Sequence, residues 1–378
     1  MVIAIIFNII FPKGGFAIGN IPITWGYIII FILILHSIIK GLTINKLNAY
    51  RFKSFLLALP FMVYFIIYLF YVNEYPSNGI LISLVISFII FPTIFLLFFD
   101  DIYYYILKNE IFFNLIIRRA ILFISIYGIV LFLYKIIAGS YFEIPYLSVN
   151  IKDYGLIDQK HNNRGDGLFK LISTYNNGNI FGVCMFFLLP FTQNHKIHKI
   201  LLKIAMVLTL SRTVWVGLII YEIITHRKHV VKMLYIGFSI LIILLFVLVI
   251  ILKKDIFYLF DPTLNNRLNG DLFQKIHFFF YDKKFIGIVE MTYKSILEQM
   301  GILGLFLFCQ FLFSPFLVLY EKARKTKTRK YSQLKIGILT YLIIAFLDGA
   351  FMFIPVSLFF WFFSSLILNE SLLMKNNE

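Results

Sequence analysis

The sequence is poor in charge, and poorest in negative charge. Only 14% of its 378 residues are charged, with 35 Lys and Arg against 19 Asp and Glu, while 60% are hydrophobic. Soluble globular proteins have about a quarter of their residues charged. No polar stretch is long enough to fold as a soluble domain. The whole chain, residues 1–378, is therefore predicted to be a single integral membrane domain.

Residues for metal, redox and nucleotide chemistry are equally scarce. The two cysteines, Cys184 and Cys309, each lie in an apolar run and indicate neither a disulfide framework nor a metal site. His195 and His198 have i,i+3 spacing, but they lie in a lysine-rich turn where a solvated role is expected. The chain has no phosphate-binding Gly-Lys loop and no dinucleotide fingerprint. We therefore expect no metal, no cofactor and no nucleotide substrate.

The excess of basic residues has two readings. A formal net charge of +16 is compatible with nucleic-acid binding. In a membrane protein, however, basic loops set the topology and contact anionic lipid headgroups. We therefore expect membrane lipids, and no nucleic acid, as partners of these residues.

Apolar segments follow one another along the chain. A bilayer core about 30 Å thick needs about 20 apolar residues in a helix. The first segment lacks a basic n-region and a cleavage site, so we expect a retained helix and not a signal peptide. The pattern predicts an all-α polytopic membrane protein with about twelve transmembrane helices. They are expected at residues 1–17, 21–40, 51–72, 78–99, 115–138, 179–193, 198–210, 212–226, 230–252, 292–320, 336–349 and 351–368.

The charge distribution decides one ambiguous region, residues 198–226. If these residues form a helical hairpin, the loops on one side of the membrane carry 21 Lys and Arg and those on the other carry 13. If they form one long helix, the basic run 322–330 lies outside, against the positive-inside rule. The hairpin is therefore predicted, with both termini in the cytoplasm. Two long loops, about 139–178 and 253–291, are then extracytoplasmic, and loops of that length are usually functional.

Arg212 is the most unusual residue of the predicted hairpin, because apolar residues flank it on both sides. An arginine at membrane depth costs about 2.5–3.5 kcal/mol on insertion scales. The hairpin helices are short, so its tip at Ser211, Arg212 and Thr213 is predicted to lie below the outer headgroups. There Ser211 could cap the following helix, and the helix tip with Thr213 could bind an anion. Arg212 is either a clamp for a lipid-linked phosphate or an arginine that reaches lipid headgroups.

Three further candidates lie in the outer loops. Arg267 could share a diphosphate with Arg212 or be a solvated loop charge. Glu290 precedes a helix on the outer side, where it could be a general base or only complement the helix dipole. Arg164 lies in an ordinary turn-forming stretch and could help to hold substrate.

In this order the segments resemble the O-antigen polymerase and O-antigen ligase superfamily of bacterial envelope proteins. The resemblance rests on the Asn-rich entry into a helix at 175–182, the hairpin at 210–212, the loop residue Arg267, and the turn at 301–304. It covers about residues 164–310, and the twelve-helix layout extends it along the chain. Ligases of this superfamily typically carry a histidine about eleven residues before the first Gly of that turn. Here that position is Glu290, which favours an O-antigen polymerase of the Wzy type.

The resemblance implies metal-independent glycan transfer at the outer face of the cytoplasmic membrane. The donor and the acceptor would be undecaprenyl-diphosphate-linked oligosaccharide repeat units, joined into O-antigen or capsular polysaccharide with inversion at the anomeric carbon. Arg212, Arg267 and Arg164 are then expected to bind the diphosphate, and Glu290 to be the base. A polysaccharide chain-length regulator is an expected partner. The rival readings are an O-antigen ligase and a lipid-linked oligosaccharide flippase, although the chain shows no internal repeat of the kind common in transporters.

Overall fold

The protein is mostly helical, and several of its helices can cross a membrane. A computed structural model describes residues 2–18, 21–41, 48–74, 78–157, 169–175, 177–226, 276–281, 283, 285, 291–325 and 332–369. Within these ranges, four helical segments have the length and composition of membrane spans: Ala49–Tyr71, Gly79–Leu97, Glu110–Ala138 and Thr292–Tyr320. Shorter apolar helices lie at Trp25–Ile39, Gly178–Thr192, Gln333–Ile344 and Ile354–Asn369.

The elements follow one another in this order. The first half contains α1 (Val2–Ile5), β1 (Gly15–Ile18), β2 (Ile21–Thr24), α2 (Trp25–Gly41), α3 (Ala49–Tyr71), α4 (Asn78–Val85), α5 (Phe91–Leu97), α6 (Asp100–Lys108) and α7 (Glu110–Ala138). The second half contains α8 (Gly178–Leu188), α9 (Lys196–Leu208), α10 (Arg212–Thr225), α11 (Thr292–Lys325), α12 (Ser332–Ile344) and α13 (Ile354–Asn369). One π-helical turn, Ile6–Ile10, extends α1, and another, Ile86–Ile90, joins α4 to α5.

The N-terminal segment differs from the predicted helix at 1–17. Its helical part ends at Ile10, because Pro12, Gly14 and Gly15 follow and break the helix. Residues 15–18 then pair in an antiparallel hairpin with 21–24, so the predicted helix at 21–40 begins only at Trp25. The fold is therefore not purely α-helical.

Two other boundaries also differ from the prediction. The predicted loop at 100–119 is helical, because α6 and the first turns of α7 occupy it. The segments predicted at 336–349 and 351–368 are interrupted at 345–353 by a turn and a short 3-10 helix, Ala350–Met352. Gly349 lies within this interruption, and Pro355 follows it in the first turn of α13.

The helices run between two ends of the bundle. At one end, the Leu171 amide donates to the Leu208 carbonyl (3.0 Å) and the Thr213 hydroxyl donates to the Leu347 carbonyl (3.4 Å). We call this the upper end. It comprises 10–18, 21–25, 71–74, 139–157, 169–175, 208–213, 291–292 and 345–353. The α3, α7, α9 and α12 helices run towards it, whereas α2, α8, α10, α11 and α13 begin there.

The opposite, lower end is tied together by polar side chains. The Asn48 amide donates to Asn369 Oδ1 (2.6 Å), which joins the start of α3 to the end of α13. Arg51 is fully buried, forms an ion pair with Asp100 and donates to the Phe95 carbonyl (3.1 Å). Burial raises the pKa of the Asp100 carboxyl, although Arg51 acts in the opposite direction. We call this the lower end. It comprises 36–41, 48–51, 98–114, 189–203, 222–226, 333–335 and 366–369.

An aromatic core lies between the two ends. Phe61 of α3 packs against Phe88 (5.5 Å between ring centroids), Phe308 (5.1 Å) and Phe311 (4.8 Å). Elsewhere the helices approach closely through glycine, as is common in membrane proteins. A Cβ added at Gly182 of α8 would lie 2.3 Å from a Val214 methyl carbon of α10. This close contact holds the start of α10 against the first turns of α8.

Candidate functional site

Residues 198–226 form the predicted hairpin. The α9 helix ends at Leu208 and α10 begins at Arg212, with Leu210 at a left-handed φ of 51° between them. Lys203 and Glu222 form an ion pair across the two helices (2.5 Å). A left-handed backbone at a bulky residue costs about 1–3 kcal/mol and persists only where its surroundings hold it. The tip is therefore a constrained turn inside the protein.

Neighbouring segments cover this tip. The Leu208 carbonyl accepts the Leu171 amide, and a Cβ added at Gly178 would lie 3.4 Å from the Thr209 carbonyl oxygen. Ser211 is 1% exposed and Thr209 is fully buried. The tip consequently lies in the interior of the upper end, beneath the segment that leads into α8.

Arg212 is half-buried and is the first residue of α10. Ser211 occupies the predicted cap position, but its side chain makes no capping hydrogen bond. The Thr213 hydroxyl donates to the Leu347 carbonyl (3.4 Å). The other sequence-predicted site residues, Arg164, Arg267 and Glu290, lie outside the described residues.

Asp348 is a buried carboxylate that the sequence reasoning missed. It is 6% exposed, and its Oδ1 accepts the Ala350 amide (2.6 Å). Its backbone carbonyl accepts both the Thr292 amide (3.1 Å) and the Thr292 hydroxyl (2.6 Å). Thr213 donates to the carbonyl of the neighbouring residue, Leu347. The turn after α12 is therefore bonded to the start of α10 and to the start of α11, and the three segments meet at Asp348. The sequence could have identified Asp348, because it is the only acidic residue between 332 and 369 and a carboxylate in an apolar segment is costly.

Lys13 is the second residue that the sequence reasoning missed. It lies in the turn after the first helix and is half-buried. The charges of Lys13 and Asp348 both act electrostatically on the buried thiol of Cys184 in α8. Lys13 and Asp348, which are 335 positions apart in the chain, therefore lie at the same end of the bundle. Lys13 therefore adds positive charge to the upper end, where Arg212 also lies.

The entry into α8 completes this site. Asn177 caps the helix by accepting the Asn179 amide (2.8 Å). The Tyr175 hydroxyl donates to the Ile9 carbonyl (3.0 Å), and burial, with a smaller contribution from Cys184, raises its pKa well above the usual value. Asn179 Oδ1 is buried and accepts no hydrogen bond from the described residues. Asn179 is one turn before Gly182, so it lies on the side of α8 that packs against α10.

These residues suit recognition of an anionic polar ligand. Arg212 and Lys13 supply positive charge, and Asn179 supplies an acceptor for a ligand hydroxyl or amide. A buried acceptor without a donor costs about 1–3 kcal/mol, which a ligand donor could offset. Within the described ranges, no group of three His, Cys, Asp or Glu side chains is arranged to hold a metal ion.

A kink in α11 coincides with the Gly-rich turn singled out in the sequence. Gly301 has φ 74° and ψ −174°, and residues 276–281 pack into the break. The Ile302 amide donates to the His277 carbonyl (3.0 Å), and the Leu303 amide donates to the Phe278 carbonyl (3.1 Å). Residues 276–281 of the predicted outer loop 253–291 thus pack against α11 about two and a half to three turns after its start at the upper end.

No family model, no curated protein and no solved structure matches the chain.

Proposed function

We propose that the protein is a membrane glycosyltransferase that polymerises undecaprenyl-diphosphate-linked oligosaccharide repeat units at the outer face of the cytoplasmic membrane. The observation that carries this proposal is the placement of Arg212. It begins a helix at a constrained, protein-covered tip, at the same end of the bundle as Lys13, Asp348 and Asn179. A guanidinium at a helix N-terminus is well suited to a phosphate ligand.

The proposed topology has about twelve membrane crossings, with the upper end outside. The described helices alternate between the two ends, and the predicted segment 230–252 supplies the remaining crossing. The loops 139–178 and 253–291 then lie outside, and both termini lie in the cytoplasm. The positive-inside rule supports this orientation, because the loops at the lower end carry the larger share of Lys and Arg.

In the proposed reaction, an acceptor hydroxyl attacks the anomeric carbon of the donor sugar. The bond between that carbon and the diphosphate oxygen breaks, the diphosphate leaves with its electron pair, and a base takes the hydroxyl proton. Arg212 stabilises the charge on the leaving diphosphate, assisted by Arg267 and Arg164. Glu290 is proposed as the base. A single displacement of this kind inverts the configuration at the anomeric carbon.

The first test is the gel banding of surface glycan from a deletion strain, with and without the restored gene. We expect the ladder to collapse to a single repeat unit on its acceptor and to return with the wild-type gene. Loss of all attached glycan, with long polymer still on its lipid carrier, would indicate a ligase instead. Lipid-linked units accumulating on the inner leaflet would indicate a flippase.

The second test separates the role of Arg212 from general stability. Arg212→Lys should not restore the full ladder, since lysine lacks the bidentate fork of arginine. The matched control is Arg119→Lys, because Arg119 is exposed near the lower end and is expected to tolerate the change. Both variants should be recovered from the membrane in wild-type amounts. Wild-type polymer length from Arg212→Lys would contradict the phosphate-clamp role.

A further inference from the structure

A second polar site lies at the lower end, remote from Arg212. It is a cavity of about 190 Å³ between the first turns of α7, the turn that joins α8 to α9, and the start of α12. Six of its nine lining residues are polar or charged, in a chain that is 60% hydrophobic. The lining consists of Glu110, Asn114, Arg118, Pro190, Phe191, Gln193, Asn194, Gln333 and Leu334. None of these residues belongs to the upper-end site.

The charges of this cavity are separated along one helix. Glu110, Asn114 and Arg118 follow one another at four-residue spacing on α7 and therefore share a face of that helix. Glu110 and Arg118 are about 12 Å apart along the helix axis. A ligand that spans this face would meet a carboxylate at one end and a guanidinium at the other.

Some polar groups of the cavity already have hydrogen-bond or contact partners, and one does not. Arg118 Nη1 contacts His195 Nε2, which holds the guanidinium beside the α8–α9 turn. Gln193 Nε2 donates to the Tyr221 hydroxyl (3.1 Å). Asn114 Oδ1 is buried and accepts no hydrogen bond from the described residues. The cavity thus offers a buried acceptor near its middle, which suits an N–H or ammonium donor.

An apolar cavity lies on the other side of the same part of α7. It has a volume of about 280 Å³ and is lined mostly by side chains of α1, α2, α5, α6, α7 and α13. Phe113 of α7 packs against Phe191 (6.1 Å between ring centroids), which packs against Phe363 (5.7 Å). Phe191 lines the polar cavity, whereas Phe113 and Phe363 line the apolar one. A polar recess and an apolar recess therefore adjoin one another at the lower end.

We infer that the polar cavity binds an amino-phosphate zwitterion of the phosphoethanolamine type. The phosphate contacts Arg118, and the ammonium contacts Glu110 and Asn114 Oδ1, since both oxygen groups suit a cationic donor. The same chemistry could come from a phospholipid headgroup or from a soluble amino-phosphate. This site does not depend on the function proposed for the upper end.

The test uses the purified full-length protein in lipid nanodiscs. Retention of phosphatidylethanolamine over phosphatidylglycerol is measured by native mass spectrometry from mixed-lipid discs, and binding of free O-phosphoethanolamine is measured by calorimetry in discs that lack phosphatidylethanolamine. Lipid retention without binding of the free compound identifies a headgroup site. Binding of the free compound identifies a soluble ligand. If the protein neither retains phosphatidylethanolamine nor binds the free compound, the proposal is overturned.

Charge variants test the zwitterion directly. Arg118→Gln and Glu110→Gln should each weaken binding by about tenfold or more, because each removes a charge-assisted contact. Arg119→Gln, which removes an exposed arginine at the next position, should change binding less than about twofold. Tighter binding by Glu110→Gln would mean an anion site and would contradict the proposal. If Arg118→Gln does not fold, Gln333→Leu at the exposed rim of the cavity is tested in its place. We expect this variant to bind the ligand more weakly. Unchanged binding would contradict the site.

Discussion

Gly301 should be far less tolerant of alanine than Gly139, another glycine with a left-handed φ. Its φ of 74° with a ψ of −174° lies in a region that is essentially restricted to glycine. An added Cβ would lie 2.7–2.8 Å from the carbonyl oxygens of His277, Phe278 and Phe279. Backbone strain of about 1–3 kcal/mol and overpacking of about 1–3 kcal/mol give an expected cost of about 2–6 kcal/mol for Gly301→Ala.

Gly139→Ala is the matched control for this prediction. Gly139 also has a left-handed φ, 77°, but a Cβ added there would meet nothing within 4 Å. Its expected cost is therefore the left-handed strain alone, about 1–2 kcal/mol. The difference between the costs of the two substitutions isolates the contact between α11 and residues 276–281.

The free energy of unfolding can be measured by SDS titration in mixed micelles, followed by the fluorescence of the three tryptophans. Hydrogen exchange provides a local readout, because the Ile302 and Leu303 amides donate to residues 277 and 278. We expect both amides to exchange faster in Gly301→Ala and to be unchanged in Gly139→Ala. Equal costs for the two variants, with unchanged exchange at Ile302, would contradict this prediction.

Two further predictions concern the packing of the bundle. Asp100→Asn should destabilise the protein by about 3 kcal/mol, because it leaves the buried Arg51 without its charge partner. Adding Arg51→Met should recover part of this loss in the same SDS titration. A further loss in the double variant would show that the ion pair is not the cause. Gly182→Ala should lower the thermal midpoint through its clash with Val214, at a cost of about 1–3 kcal/mol. Val214→Ala in the same chain should restore that midpoint. If the midpoint of the double variant stays low, the clash is not with Val214.

The membrane character and the hairpin were accessible from the sequence, because both depend on local chemistry. Apolar runs of sufficient length predict helices, and the break between α9 and α10 falls at Thr209 to Ser211, where the polar residues interrupt the run. The charge balance of the loops then favoured the hairpin over one long helix. The strand that begins at Gly15 was not predicted, since Pro12, Gly14 and Gly15 visibly interrupt the apolar segment 1–17 but do not indicate that the next residues pair with 21–24.

The sequence alone left the partners of the candidate site undetermined. Arg212 was singled out because a charge in an apolar run is costly wherever it lies. Lys13 and Asp348 were not, because their approach to Cys184 depends on helices that are far apart in the chain. Likewise, the glycine turn at 301–304 was visible as a motif, but its left-handed backbone and its contact with residues 276–281 were not.

The long apolar helices and the side on which their basic loops are expected follow from the sequence, because hydrophobicity, helix breaking and charge are properties of neighbouring residues. Tertiary structure alone decided that Arg212, Lys13, Asp348 and Asn179 share the upper end, and that Glu110 and Arg118 line a polar cavity at the lower end. These juxtapositions result from close packing between helices, such as that of Gly182 against Val214, and a single chain does not encode its long-range contacts in any local pattern.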